Sequence, residues 1–155
     1  MHNNNHENRI TIVLADDHTI VRQGIRRLLE DKQEFEVTGE AADGEEALKL
    51  LAELHPDVLV TDIRMPKKDG IEVVREAKEC CPKTKVIVLS MYGSEAYVYS
   101  ALRAGASGYV LKIRGVQDLD IAIQEVMRGK RFLSEPITEE TVEAYRVRTK
   151  KPPLT

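Results

Sequence analysis

Apolar residues recur along this chain in two alternating patterns. Short runs that are nearly unbroken Val, Ile and Leu ("ITIVL", "DVLVT", "KVIVLS") are separated by longer stretches in which apolar residues return every three or four positions. The unbroken runs predict strands buried on both faces, as in a parallel sheet covered by helices. Strands are expected at Ile10–Leu14, Glu36–Ala41, Asp57–Thr61, Lys85–Ser90 and Gly108–Leu111. "EFEVTGEA" alternates apolar and polar residues instead, which suits an edge strand. In the first helical stretch Val21, Ile25, Leu28 and Leu29 share a face, while Arg22, Arg26 and Arg27 point largely away. In the last one before residue 130, Leu119, Ala122, Ile123, Val126 and Met127 follow helical spacing, and Gly129 stops the helix. Strand and helix alternating in this way predict a doubly wound α/β domain. After Arg131 the pattern changes. "SEPITEETVEAYRVR" reads as a further helix with Pro136 near its first turn and Glu139 and Glu140 at its positive end. The expected organisation is a polar tail over 1–8, the folded domain over 9–131, and a linker helix with linker sequence over 132–155.

Composition narrows the function classes. The chain has 155 residues, 42% hydrophobic and 32% charged, with a formal net charge of −3. That length supports one domain with a substantial core, and the charge does not suggest a nucleic-acid or membrane surface. No apolar run approaches the roughly 20 residues needed to span a bilayer, and "MHNNNHENR" has no signal-peptide core. Cys80 and Cys81 are adjacent, so they cannot build a framework of bridges, and a reduced, cytoplasmic protein is expected.

The chemistry lies at the strand ends. In open α/β sheets, ligands bind beyond the carboxyl ends of the strands, where the connections reverse direction. Asp16 and Asp17 follow the first strand and Asp62 follows the third, before Pro66 and Gly70 interrupt the chain. If those strands are neighbours, their carboxylates converge, and each disfavours ionisation of the others unless a cation joins them. Oxygen ligands alone, with room for water and phosphate, suit Mg²⁺ better than zinc. Strand four ends in Ser90, a hydroxyl donor, and strand five runs into Lys112, an ammonium. Acids, a metal, a hydroxyl and a lysine together describe phosphoryl transfer, with Asp62 as nucleophile.

"VLADDH", "TDIRMPKKDG", "VIVLSMY" and "GASGYVLK" resemble the receiver domain of bacterial two-component response regulators, over about residues 9 to 130. The resemblance implies a flavodoxin-like fold with a five-stranded parallel sheet of order 2-1-3-4-5. It implies that Asp62 accepts phosphate from a sensor histidine kinase. Mg²⁺ would be held by Asp17, Asp62 and the backbone carbonyl of Arg64, with Asp16 helping through water. Ser90 and Tyr109 match the family's switch hydroxyl and switch aromatic, and Lys112 its phosphate-binding lysine. Such a domain is a switch and not an enzyme in its own right. "DDHTIVRQGIRRLLE" and "GKRFLSEPITEE" further resemble the NarL/FixJ (LuxR-type) subfamily. That implies a phosphorylation-dependent homodimer regulating transcription. DNA contact would come only through a helix-turn-helix module beyond Thr155. Ile113 stands where many receivers have proline after the site lysine.

His18 follows the acid pair, but imidazole is not a favoured Mg²⁺ ligand. Arg22, Arg26 and Arg27 read as a solvated face, and Met65 as packing. Tyr92, Tyr97 and Tyr99 cluster on and before the fourth helix, and Tyr97 and Tyr99 cannot both face the core. A Mg²⁺-dependent phosphatase working through its own aspartyl-phosphate would place a second Asp two residues after the nucleophile, where Arg64 stands. A phosphorylation-independent dimerisation module could dispense with Asp17, Asp62 or Lys112, and all three are present.

Overall fold

The computed structural model describes residues 8–149. Most of the polar start and the end from Lys150 lie outside the described residues. Six parallel strands form one sheet in the order β2-β1-β3-β4-β5-β6. They are β1 (Ile10–Ala15), β2 (Phe35–Ala41), β3 (Val58–Thr61), β4 (Lys85–Ser90), β5 (Gly108–Leu111) and β6 (Phe132–Leu133). The helices are α1 (Thr19–Glu30), α2 (Gly44–Leu54), α3 (Gly70–Cys80), α4 (Glu95–Ala104), α5 (Val116–Met127) and α6 (Glu139–Thr149). The expected order of the first five strands is observed, with the alternating β2 at the edge. The sixth strand was not foreseen: "FL" is only two residues long, too short for any period to register. It pairs Phe132 with Gly108 and Leu133 with Tyr109.

The sheet separates two apolar layers. On one side β1, β3 and β4 send Val13, Leu59, Val86 and Val88 against α2, α3 and α4. On the other, Ile12, Val58, Val60 and Ile87 meet Leu29 of α1 and Leu119, Ile123 and Val126 of α5. The near-continuous Val/Ile/Leu runs have this cause, since successive residues face opposite layers and both are dry. Periodicity overstated two helix faces. Only Leu29 of the expected α1 face is fully buried, Leu28 remains 48% exposed, and Met127 of α5 is exposed as well.

Two glycines bring the loop after β3 close to its neighbours. A Cβ at Gly70 would lie 2.1 Å from the carbonyl oxygen of Asp62, and one at Gly44 would lie 2.2 Å from that of Lys68. Both clashes are with backbone, which cannot rotate away. The Gly70 amide also donates to the Ile63 carbonyl at 2.6 Å. The start of α3 is thereby tied to the residue that follows Asp62.

Pro136 lies before α6 and not in its first turn. The turn is closed instead by Thr138, whose hydroxyl accepts from the Thr141 amide at 3.1 Å. α6 packs on α4 through the Tyr99 and Tyr145 rings, whose centroids are 5.3 Å apart, and through an Arg148–Glu95 ion pair. No helix among the described residues is long and apolar enough to cross a membrane.

Candidate acidic phosphoryl-transfer site

β1 and β3 are neighbours, so their carboxyl ends deliver Asp16, Asp17 and Asp62 to one place. Ligand atoms from these acids and from His18 all lie within 4.8 Å of one another. Asp16 and Asp62 are buried, at 4% and 6% exposure, whereas Asp17 is exposed. Lys112, at the end of β5, reaches across the sheet. Its Nζ donates to Asp16 Oδ2 at 2.7 Å and to Asp62 Oδ2 at 2.9 Å. Burial works against the Lys112 charge, but the bonds to Asp16 and Asp62 outweigh it and hold the ammonium's pKa above the ordinary lysine value. Asp62 Oδ1 accepts the Ile63 amide at 2.7 Å. Three carboxylates with one ammonium leave net negative charge in a partly closed pocket. The carboxylate oxygens of this cluster fit a hard divalent cation. Arg64 lies in the loop two residues beyond Asp62.

The remaining expected residues flank this cluster. Ser90 is buried at the end of β4, and its Oγ accepts the Tyr92 amide at 3.0 Å. Tyr109 is buried within β5, and its hydroxyl donates to the Tyr92 carbonyl. Burial pushes the Tyr109 phenol up to about 12. Tyr92 is thus held through its backbone by both Ser90 and Tyr109, a junction that side-chain identity did not advertise. The Lys112–Ile113 bond is not among the cis peptides of the described residues, and Lys112–Arg114 turns directly into a single 3₁₀ turn.

Sequence reasoning missed three other features. The His18 ring sits 3.2 Å from both Asp16 and Asp17. Ser134, fully buried, accepts the Leu111 amide and donates to Asp118, fastening the end of β5 beside Lys112. The α1 arginines are not simply a solvated face. Arg22, with its side chain only 12% exposed, pairs with Glu40 at 2.8 Å and donates to the Asp16 carbonyl. Arg26 takes the other Glu40 oxygen at 2.6 Å. The signal for this network was present only as an acid, Glu40, on an edge strand.

Burial pushes Glu40 up, but its bonds to Arg26 and Arg22 outweigh this and hold it below the usual carboxylate range. A depressed acid stabilises the fold above its unfolded pKa, and that contribution is lost as pH falls through the folded pKa. Glu40→Gln is therefore expected to cost about 1–2 kcal/mol at pH 7, between exposed and buried ion pairs. Urea melts of both proteins from pH 7 down to pH 3 should show the gap closing below about pH 4.5. A gap independent of pH would refute the charged pairing.

Comparison with known proteins places this geometry. The family model described as the response regulator receiver domain matches residues 12–124. The chain is 40% identical over 140 residues to the transcriptional regulatory protein DegU of Brevibacillus brevis, covering 90% of this chain and 59% of that protein. It spans about three fifths of the length of curated relatives that it matches. A LuxR-family response regulator from an Aurantimonas species superposes with a TM-score of 0.81 at 36% identity, covering 90% of this chain and 99% of that one. RcsB from Salmonella enterica serovar Typhimurium, bound to a promoter in the presence of the phosphomimetic BeF₃⁻, gives a TM-score of 0.81 at 33% identity, covering 93% and 71%. With the acids of β1 and β3, the lysine of β5 and the parallel 2-1-3-4-5 core all in place, the chain belongs to the response regulator receiver domain family.

Proposed function

We propose that this chain is a phosphorylation-dependent switch whose phosphoacceptor is Asp62. The observation that carries this reading is that Lys112 meets both Asp16 and Asp62 within hydrogen-bond distance. Asp16, Asp17, Asp62 and the Arg64 carbonyl would hold Mg²⁺, which supplies positive charge to the phosphoryl oxygens when bound. Asp62 would attack the phosphorus of a phosphohistidine on a sensor kinase, forming a P–O bond as the P–N bond breaks. Lys112 then neutralises oxygens of the transferred group, and its two carboxylate partners keep it charged and aimed. The product is an acyl phosphate, so the signal is held covalently but can be hydrolysed.

Output would pass through Ser90 and Tyr109. Tyr109 already lies inside, so any change in its surroundings is transmitted by its bond to the Tyr92 carbonyl. Drawing the Ser90 hydroxyl toward a phosphoryl group on Asp62 removes the acceptor of the Tyr92 amide. The segment leading into α4, and α6 packed on it, then shift together. Ser90→Ala is expected to accept phosphate yet respond weakly, as read by size-exclusion chromatography with scattering after phosphorylation. A mutant that assembles as the parent does would break the Ser90 link.

The direct test of the reading is incubation with acetyl phosphate and Mg²⁺, followed by intact-mass measurement. One hydroxylamine-sensitive phosphate per chain is expected, and no incorporation from any donor would refute the switch. By analogy with the transcriptional regulatory protein DegU and promoter-bound RcsB, we further propose a transcriptional role, and from the resemblance to the LuxR-type subfamily a phosphorylation-dependent homodimer. DNA contact would reside in sequence outside these 155 residues, because specific affinity needs several Lys and Arg contacts to phosphates. Anisotropy with promoter DNA should show no sequence-specific binding by this chain.

A further inference from the structure

The side chain of Arg64 has no part in the acid cluster but makes a defined set of contacts. It leaves the loop after β3 and crosses to the loop after β4, where its guanidinium carbon lies 5.0 Å from the centre of the Tyr92 ring. One of its nitrogens is 3.5 Å from the Tyr97 hydroxyl. The Tyr92 and Tyr97 rings are 5.6 Å apart and tilted by 43°, forming a notch that the cation fills. Tyr97 stands in the first turn of α4, and Tyr92 is the residue already held by Ser90 and Tyr109. Three contacts from three elements therefore converge on Tyr92, and one starts two residues from Asp62.

We propose that Arg64 is a positioning residue that braces Tyr92 and the start of α4 until Asp62 is phosphorylated. The proposal rests on the phosphoacceptor reading above. In the brace the guanidinium holds the ring by cation–π attraction, which is weak where water competes. A phosphoryl group on Asp62 would bring additional negative charge and strong acceptors to the same loop. Charge-assisted bonds from arginine to phosphoryl oxygens exceed a solvated cation–π contact, so the guanidinium leaves the notch. Tyr92 then loses its side-chain hold in the same event that draws Ser90 from its amide. Two routes from one acid thus act on one residue. No bond is made or broken covalently at Arg64.

The test is hydrogen–deuterium exchange over residues 91–99 in the whole chain, with and without beryllofluoride and Mg²⁺. Binding of the mimic is followed separately by its fluorine NMR signal. The parent should exchange slowly at rest and several-fold faster with the mimic bound. Arg64→Gln and Tyr92→Leu should exchange several-fold faster at rest and gain less than twofold on adding the mimic. Tyr92→Phe, which keeps the ring, should behave as the parent. Tyr92→Leu leaves the acids untouched and decides the comparison if Arg64→Gln binds the mimic weakly. Parent-like exchange in both Arg64→Gln and Tyr92→Leu would overturn the brace, as would a parent whose exchange does not rise with the mimic bound. A parent that shows no bound fluorine signal refutes the phosphoacceptor reading instead, and the resting-state comparison still judges the brace.

Discussion

Asp62→Asn is expected to take up no phosphate while folding as the parent does. The two parts of this result have separate causes. An amide oxygen is a poor nucleophile, so the loss should be ~10³-fold or more, in the range seen when an enzyme's nucleophile is removed. The fold should persist because asparagine is nearly isosteric and its oxygen can still accept the Ile63 amide, which Asp62 Oδ1 accepts at 2.7 Å. Lys112 keeps Asp16 as a charged partner at 2.7 Å, so the ammonium is not abandoned. Stability should fall by no more than about 1–3 kcal/mol, because Lys112 loses the bond it makes to Asp62 Oδ2 at 2.9 Å while one crowded carboxylate charge is also removed. Intact mass after incubation with acetyl phosphate and Mg²⁺ reads the chemistry, and a urea melt reads the fold. Phosphate appearing on Asp62→Asn in the parent's yield would move the acceptor elsewhere.

A buried strand ending in an acid and followed by Pro66 and Gly70 is a local pattern, and local patterns survive in one dimension. So do the Val/Ile/Leu runs of β1, β3 and β4, because burial on both faces leaves no choice of residue type. Gly70 was legible as a breaker, but its close approach to the Asp62 carbonyl was not. That contact depends on how α3 meets β3. Pairings across the sheet were similarly hidden. Arg22 and Arg26 are a basic stripe on a helix until β2 places Glu40 beneath them. Tyr92 is one of three nearby tyrosines until Ser90 and Tyr109 are seen to grip its backbone. For Lys112 the sequence implies a phosphate-binding group, and the structure adds that its ammonium bridges two of the acids whose mutual repulsion the sequence implies. Relief of that repulsion by deleting an acid is therefore expected chiefly at Asp17, which the lysine does not touch in the described contacts.

Lys112→Met should for this reason be among the most destabilising single changes at the site when no divalent metal is present. It removes the cation that lies between Asp16 and Asp62, whose side chains are 6% and 7% exposed. Breaking a buried pair by deleting one partner typically costs ~3–5 kcal/mol, because the surviving charge stays desolvated. A loss of ~3 kcal/mol would lower the melting temperature by roughly 6–12 °C in a chain of this size. The pH dependence has a definite sign. In the parent the lysine's pKa is raised, so its contribution is complete below its unfolded value near ~10.4 and disappears only above that. The lysine's own contribution is therefore constant between pH 5 and pH 8. A divalent cation held by the acids of the folded form would replace the missing charge. Millimolar Mg²⁺ should thus raise the mutant's melting temperature by more than the parent's, where saturation at ~100 times the dissociation constant would itself contribute about 2.7 kcal/mol. Thermal melts of both proteins, with EDTA or Mg²⁺ at pH 5 and pH 8, separate these effects. Equal melting temperatures in EDTA at pH 8 would mean that Lys112 does not hold the acids together, and a Mg²⁺ shift no larger in the mutant would mean that metal and lysine do not share their charge.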